Sequence, residues 1–202
     1  MYQLFESIKV FEGEIHHWDL HRQRMFFSLQ TLYGEEHILD AIESTFWQKP
    51  SHGLFKLRIL YDHSRFHMEY IPYTRRTIRK LYLKYHDTIT YDHKYSDRVL
   101  LNQLTQNLQA DEDILIIKSG LLTDSSYSNV ALFDGSHWYT PSHPLLKGIK
   151  RKWLLDRYAI QEKKISEAEI LTYKKIALIN AMMDLGELSI NINSILTSPN
   201  SI

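Results

Sequence analysis

Cysteine is absent from the 202-residue chain. That excludes disulfide bridges, thiol catalysis and cysteine metal sites. Glycine occurs 7 times and proline 5 times; with so few breakers there is no low-complexity linker, and no internal repeat is visible. An excess of one charge is also missing, since Lys plus Arg and Asp plus Glu each number 24. The balance gives no electrostatic reason for binding nucleic acid or an anionic membrane. No run approaches the roughly 20 apolar residues of a membrane span. The opening "MYQLFESIKVFEGEI" lacks the basic start and long apolar stretch of a secretion signal, so the expected location is the cytoplasm. What is present is core material: 44% apolar and 12% aromatic residues, enough for a packed interior rather than disorder. The length allows one large domain or two small ones.

Taken in order, residues 5–10 read as a strand, Glu12 and Gly13 as a turn, and Ile15 as the start of a return strand. Asp19 can cap a helix from Leu20 to Tyr33, with Met25, Leu29 and Leu32 inward. A second helix is expected from Glu36 to Gln48, with Ile38, Leu39, Ile42 and Phe46 on one face. Three strands rich in β-branched and aromatic residues follow, at 55–61, 66–73 and 80–86. In the second half, Ser96 and Asp97 offer cap chemistry for a helix reaching about Leu108. "DILIIKSG" is a strand, and "SNVALFDGSHWYTP" is a hairpin turning at Asp134-Gly135. Helices are expected after Gly148 and after Ser166, with a strand ending at Asn180. The spacing predicts an α+β chain with a change of architecture near Thr90, giving domains 1–90 and 91–202.

Several polar residues fall at strand ends or helix starts. Lys94 sits between a β-rich run and a helix. Asp124 closes a turn that leads into a strand. Gly148, Ile149 and Lys150 stand at a helix N-terminus, where amides and dipole suit a phosphate. Asn180 ends a strand. Arg24 lies on a helix, where a guanidinium can grip phosphate at two points. Each alone has an ordinary explanation: a surface lysine, a turn acid, a glycine cap. Together, a lysine amine, an acid and a phosphate cradle are the groups pyridoxal phosphate requires.

In combination and order these segments resemble the class IV aminotransferase family, the fold type IV pyridoxal-phosphate enzymes. "FESIKVFEGEI" is similar to the family's opening strand, with Lys9 where the family has Arg. "LHRQRM" is similar to its His-x-x-Arg helix, in which His21 has a structural role. "HKYSDR" resembles the lysine segment, "LLTDSSYSNVALF" the acid segment, and "YTPSHPLLKGIKR" the phosphate turn. The resemblance covers most of the chain. It implies a two-domain fold like that of D-amino acid aminotransferase, with a small α/β first domain, a barrel-like second domain and the cofactor in the cleft between them. It further implies that Lys94 holds pyridoxal 5'-phosphate covalently and moves the substrate proton, and that Asp124 meets the pyridine nitrogen. Ile149, Lys150, Arg24 and Asn180 would hold the phosphate. Asp124 is one methylene shorter than the family's usual Glu. Lys147 replaces the usual Pro and Lys150 the usual Thr or Met, at positions where backbone groups suffice.

The hydroxyl of Ser7, two residues after Phe5, and the "INAMM" segment resemble the aminodeoxychorismate lyases of the family more than its transaminases. The resemblance therefore implies a lyase making 4-aminobenzoate and pyruvate from 4-amino-4-deoxychorismate, with Ser7 assisting proton transfer. The alternatives are an amino-acid transaminase of the same fold and a cofactor-binding protein without turnover, since the segment between Tyr73 and Lys94 is short and the usual extra strand before "FES" is missing. Arg75 or Arg76, in a basic run with Arg79 and Lys80, is the candidate for reading a substrate carboxylate. His86, Asp87, Asp92 and His93 are metal-ligand types without a fixed ligand spacing, and no metal is expected. Family members usually pair, so a homodimer is expected.

Overall fold

The computed structural model of the chain describes residues 3–34 and 37–197. They form two compact units, 3–34 and 37–75 with 93–97, and 76–92 with 98–197.

In the first unit, β1 (Leu4–Phe11) turns at Glu12 and Gly13 into β2 (Glu14–Ile15). After α1 (Trp18–Tyr33) and α2 (Ile38–Glu43) come β3 (Leu54–Tyr61) and β4 (Phe66–Pro72). The sheet order is β2-β1-β3-β4, antiparallel throughout. Along β1 burial alternates as the pleat demands: Leu4, Glu6, Ile8 and Val10 are buried, and Phe5, Ser7 and Lys9 are half-buried on the opposite face. The buried side packs with Met25 and Leu29 of α1 and with Ile38, Leu39 and Ile42. Asp19 lies in the first turn of α1; the residue before the helix is His17, in a left-handed conformation with φ 57°. The helix expected over 36–48 is shorter, since α2 ends at Glu43 and a 3-10 turn covers Phe46–Gln48. Its expected start at Glu36 lies outside the described residues.

The second unit begins with β5 (Lys80–Tyr85), α3 (Val99–Leu104), β6 (Glu112–Lys118), β7 (Leu121–Ser125), β8 (Asn129–Phe133) and β9 (Trp138–Pro141). It continues with α4 (Ile149–Leu155), β10 (Gln161–Lys163), α5 (Glu167–Ile170), β11 (Lys175–Ile179), β12 (Ser189–Asn191) and β13 (Ile195–Thr197). One sheet has the order β13-β5-β6-β7 and the other β10-β9-β8-β11-β12. β6 is buried on both faces over its first six residues, and after Glu112 and Asp113 its residues 114–117 read as a continuous apolar run rather than an alternation. The two sheets share one core, to which Leu81, Leu115 and Ile117 contribute from one and Val130, Leu132, Ile176 and Leu178 from the other. Two sheets closing on a common core are the form taken by the expected barrel-like domain.

The compact units do not divide at Thr90. β5 pairs in parallel with β6 and β13, which draws 76–92 into the second unit. Residues 93–97 return to the first through Phe5 N–H to Lys94 C=O at 3.0 Å, Ser96 N–H to Gln3 C=O at 2.9 Å and a bridge from Leu4 to Tyr95. Main-chain pairing of this kind leaves no side-chain pattern to read. Likewise α3 is preceded by Arg98 without a side-chain cap, so Ser96 and Asp97 do not start it. No helix among the described residues is long and apolar enough to cross a membrane.

Candidate active site

In the first unit, Glu6 is the focus of a buried charge cluster. Alternation along β1 turns it towards α1, where His21 and Arg24, three residues apart, share one helix face. His21 Nδ1 lies 2.7 Å from Glu6 Oε2. Arg24 Nε donates to Oε1 at 2.8 Å and Nη2 to Oε2 at 2.5 Å. Burial works against ionising Glu6, but Arg24 and His21 outweigh it and hold the carboxyl down to about 2. Burial depresses the His21 value despite Glu6; its Nδ1 faces the Glu6 carboxylate, and its Nε2 is buried without a partner among the described residues. The bidentate edge of Arg24 expected to meet phosphate thus faces Glu6.

Lys94 lies in the extended segment hydrogen-bonded to β1. Its ammonium is 4.5 Å from the centre of the Phe5 ring, a cation–π distance. Ser7 follows two residues along the same face of β1 and pairs in register with Arg58 of β3, whose guanidinium also approaches the Phe5 ring at 5.9 Å. Arg75 is exposed.

In the second unit, Asp124 is buried near the end of β7. Its Oδ1 accepts from Asn129 Nδ2 at 2.7 Å and its Oδ2 from the Leu146 amide at 2.9 Å. Burial pushes its carboxyl up to about 6, against the pull of these bonds and of Arg151. Asn129 also donates to the Leu146 carbonyl at 2.8 Å, tying the acid to the turn that enters α4. Gly148 precedes α4 with an ordinary φ of −72°. It is a glycine for space: a Cβ there would lie 1.9 Å from Asn129 Oδ1. The amides of Ile149 and Lys150 occupy the first turn of α4, while the buried Lys150 side chain runs to Asp184 and over Trp153. Asn180 donates to Ser128 Oγ at 3.0 Å and accepts from the Met182 amide at 2.8 Å. Through Asn129 and Ser128, the 124–129 turn therefore gathers Asp124, Gly148 and Asn180 into one network. Arg76, exposed, has its guanidinium 5.7 Å from the ring centre of Tyr127 in that same turn.

Glu6 and Asn129 carry roles that motif reading did not assign. Their signals were present, as an acid at a core-facing strand position and as an amide beside a close-packed glycine. Among the described residues no group of three or more His, Asp or Glu is placed to hold a metal ion; Asp87 instead accepts from the Ser119 amide at 2.7 Å.

The second-unit residues suit pyridoxal phosphate. The Asp124 carboxylate takes bonds from the Asn129 side chain and from the backbone of the 145–146 turn, and its two oxygens together offer about four acceptor positions. A buried acid with a raised pKa gains from a cationic partner such as a protonated pyridine. The family described as amino-transferase class IV matches residues 3–189. An uncharacterized protein of Haemophilus influenzae is 36% identical over 185 residues, covering 90% of this chain and 98% of its own. A crystal structure of a candidate 4-amino-4-deoxychorismate lyase from Haemophilus somnus 129PT has a TM-score of 0.82 at 31% identity, covering 92% of this chain and 98% of that one. A hypothetical aminotransferase of Mycobacterium tuberculosis, solved with PLP bound, has a TM-score of 0.76 at 16% identity over 96% of this chain and 81% of that one, a likeness of fold.

Proposed function

We propose that this chain, which belongs to the class IV aminotransferase family, is a pyridoxal-phosphate lyase converting 4-amino-4-deoxychorismate to 4-aminobenzoate and pyruvate. The observation that carries the reading is on β1: the Phe5 ring flanks the Lys94 amine, and the Ser7 hydroxyl follows two residues along on the same strand face. An elimination needs one group to remove a proton and another to deliver one to the departing oxygen. Lys94 would take the proton from the amine-bearing carbon, and Ser7 would pass one to the leaving enolpyruvate oxygen. With the C–H and the neighbouring C–O bond broken, the substrate's existing six-membered ring is aromatic, and the released enolpyruvate becomes pyruvate.

Pyridoxal phosphate, when bound, supplies an electron sink at the substrate amine. Lys94 would hold it covalently. Asp124 would stay ionised against the ring nitrogen, fixed by Asn129 and Leu146. The Ile149 and Lys150 amides, Arg24 and Asn180 would receive the phosphate, with Glu6 fixing the Arg24 guanidinium. The reading includes a cytoplasmic homodimer, which light scattering of the purified protein tests.

The deciding experiment offers the protein, supplemented with pyridoxal phosphate, 4-amino-4-deoxychorismate in one assay and amino acid plus 2-oxo acid pairs in another. Release of 4-aminobenzoate and pyruvate supports the lyase. Amino transfer without aromatic product makes it a transaminase. Cofactor uptake without either product leaves a binding protein.

A further inference from the structure

Tyr127 stands at the tip of the turn between β7 and β8. The turn is closed by the Ser125 amide to the Ser128 carbonyl at 2.9 Å and the Ser128 amide to Ser125 Oγ at 3.1 Å. Tyr127 is 52% exposed, although its neighbours are buried serines. Two guanidinium groups attend it, Arg98 at 4.4 Å and Arg76 at 5.7 Å from the ring centre. Arg98 is held from behind: Nη1 donates to Tyr91 Oη at 3.1 Å and Nη2 to the Ser126 carbonyl at 2.5 Å. Arg76 donates a long bond of 3.4 Å to the Ala110 carbonyl.

Neither arginine has a carboxylate within ion-pair distance among the described residues, and the Nε of Arg98 is buried with no acceptor. The acid that feels Arg76 is Asp113, which is buried and already bonded to the Ser126 hydroxyl and the Ile114 amide. One held guanidinium, Arg98, a second exposed one, Arg76, a buried N–H lacking an acceptor and a half-exposed tyrosine thus gather at the turn that carries Asp124. Guanidinium forks match carboxylates at two points, and a phenol ring offers a flat apolar surface beside them.

We propose that Arg76, Arg98 and Tyr127 form a subsite for a carboxylate borne on a planar ring, and that this subsite selects the substrate. The proposal rests on the lyase reading for the identity of that ring. It does not depend on turnover, because it is tested by binding alone.

The test titrates the protein, with saturating pyridoxal phosphate present, with 4-aminobenzoate and with 4-aminobenzamide, followed by calorimetry. The acid should bind at least about tenfold more tightly than the amide. Arg76→Gln, at an exposed position, should weaken the acid about tenfold and leave the amide unchanged. Tyr127→Phe should keep both affinities, while Tyr127→Ser should weaken both by removing the shared ring. Equal affinity for acid and amide in the parent, or an unchanged acid affinity in a folded Arg76→Gln, overturns the proposal. Failure to take up cofactor would instead sink the lyase reading and leave the anion comparison to judge the subsite.

Discussion

The Phe5 amide donates a 3.0 Å hydrogen bond to the Lys94 carbonyl, and the Lys94 ammonium lies 4.5 Å from the centre of the Phe5 ring. One residue thus holds the lysine twice, at its backbone and at its amine. The backbone bond survives any side-chain change at position 5, so the two effects can be separated. Phe5→Leu combined with Lys94→Met in a double-mutant cycle should show a coupling of about 0.5–1 kcal/mol in urea unfolding, the size of an exposed cation–π pair. Additive losses would mean the ring and the amine do not interact. In the parent, borohydride reduction with pyridoxal phosphate should label Lys94; a labelled peptide containing another lysine would remove it from the reaction.

Glu6→Gln should destabilise the protein by about 3 kcal/mol. That is the low end for breaking a buried pair, since the Arg24 side chain keeps 15% exposure. The pH dependence has a definite sign. Glu6 is held at about 2 against an ordinary 4.5, so its contribution is complete above 4.5 and is lost as pH falls towards 2. Parent and variant should therefore converge in stability across that acid window, and a constant gap would argue against the charge cluster.

Gly148→Ala should disturb the Asp124 network, because the new methyl lies 1.9 Å from Asn129 Oδ1. Overpacking of this kind costs about 1–3 kcal/mol. The same clash predicts a suppressor: Asn129→Ser shortens the side chain and should recover part of the melting temperature lost in Gly148→Ala. No recovery would place the cause in the backbone instead.

Asp124→Asn should retain cofactor, since the lysine and phosphate contacts remain, but turnover should fall steeply because a neutral amide no longer stabilises charge at the ring nitrogen. Stability gives an independent check. The Asp124 carboxyl sits at about 6 against an ordinary 3.8, so the folded form binds its proton more tightly than the unfolded form. Its stabilisation is full below 3.8 and is lost as pH rises towards 6, amounting to about 3 kcal/mol. The parent, without cofactor, should lose stability relative to Asp124→Asn across that window. The opposite trend would mean the carboxylate is not buried as described.

The sequence by itself determined much of the local structure. Alternation along 4–11 and the unbroken apolar run at 114–117 made strands, because side-chain burial has the period of the pleat. The Asp134-Gly135 turn and the Ser166 cap, realised with Glu169 as a reciprocal capping box, were legible because their chemistry is local. The order of Lys94, Asp124, Gly148 and Asn180 carried the family resemblance. Tertiary structure alone decided which groups meet. Segment 93–97 joins β1 through main-chain bonds that any sequence can make. Glu6 finds Arg24 across 18 positions, and Asn129 fills the space that Gly148 leaves empty. Such pairings depend on distances across the fold, and a one-dimensional pattern records neither the neighbour that neutralises a buried charge nor the atom that forbids a methyl group.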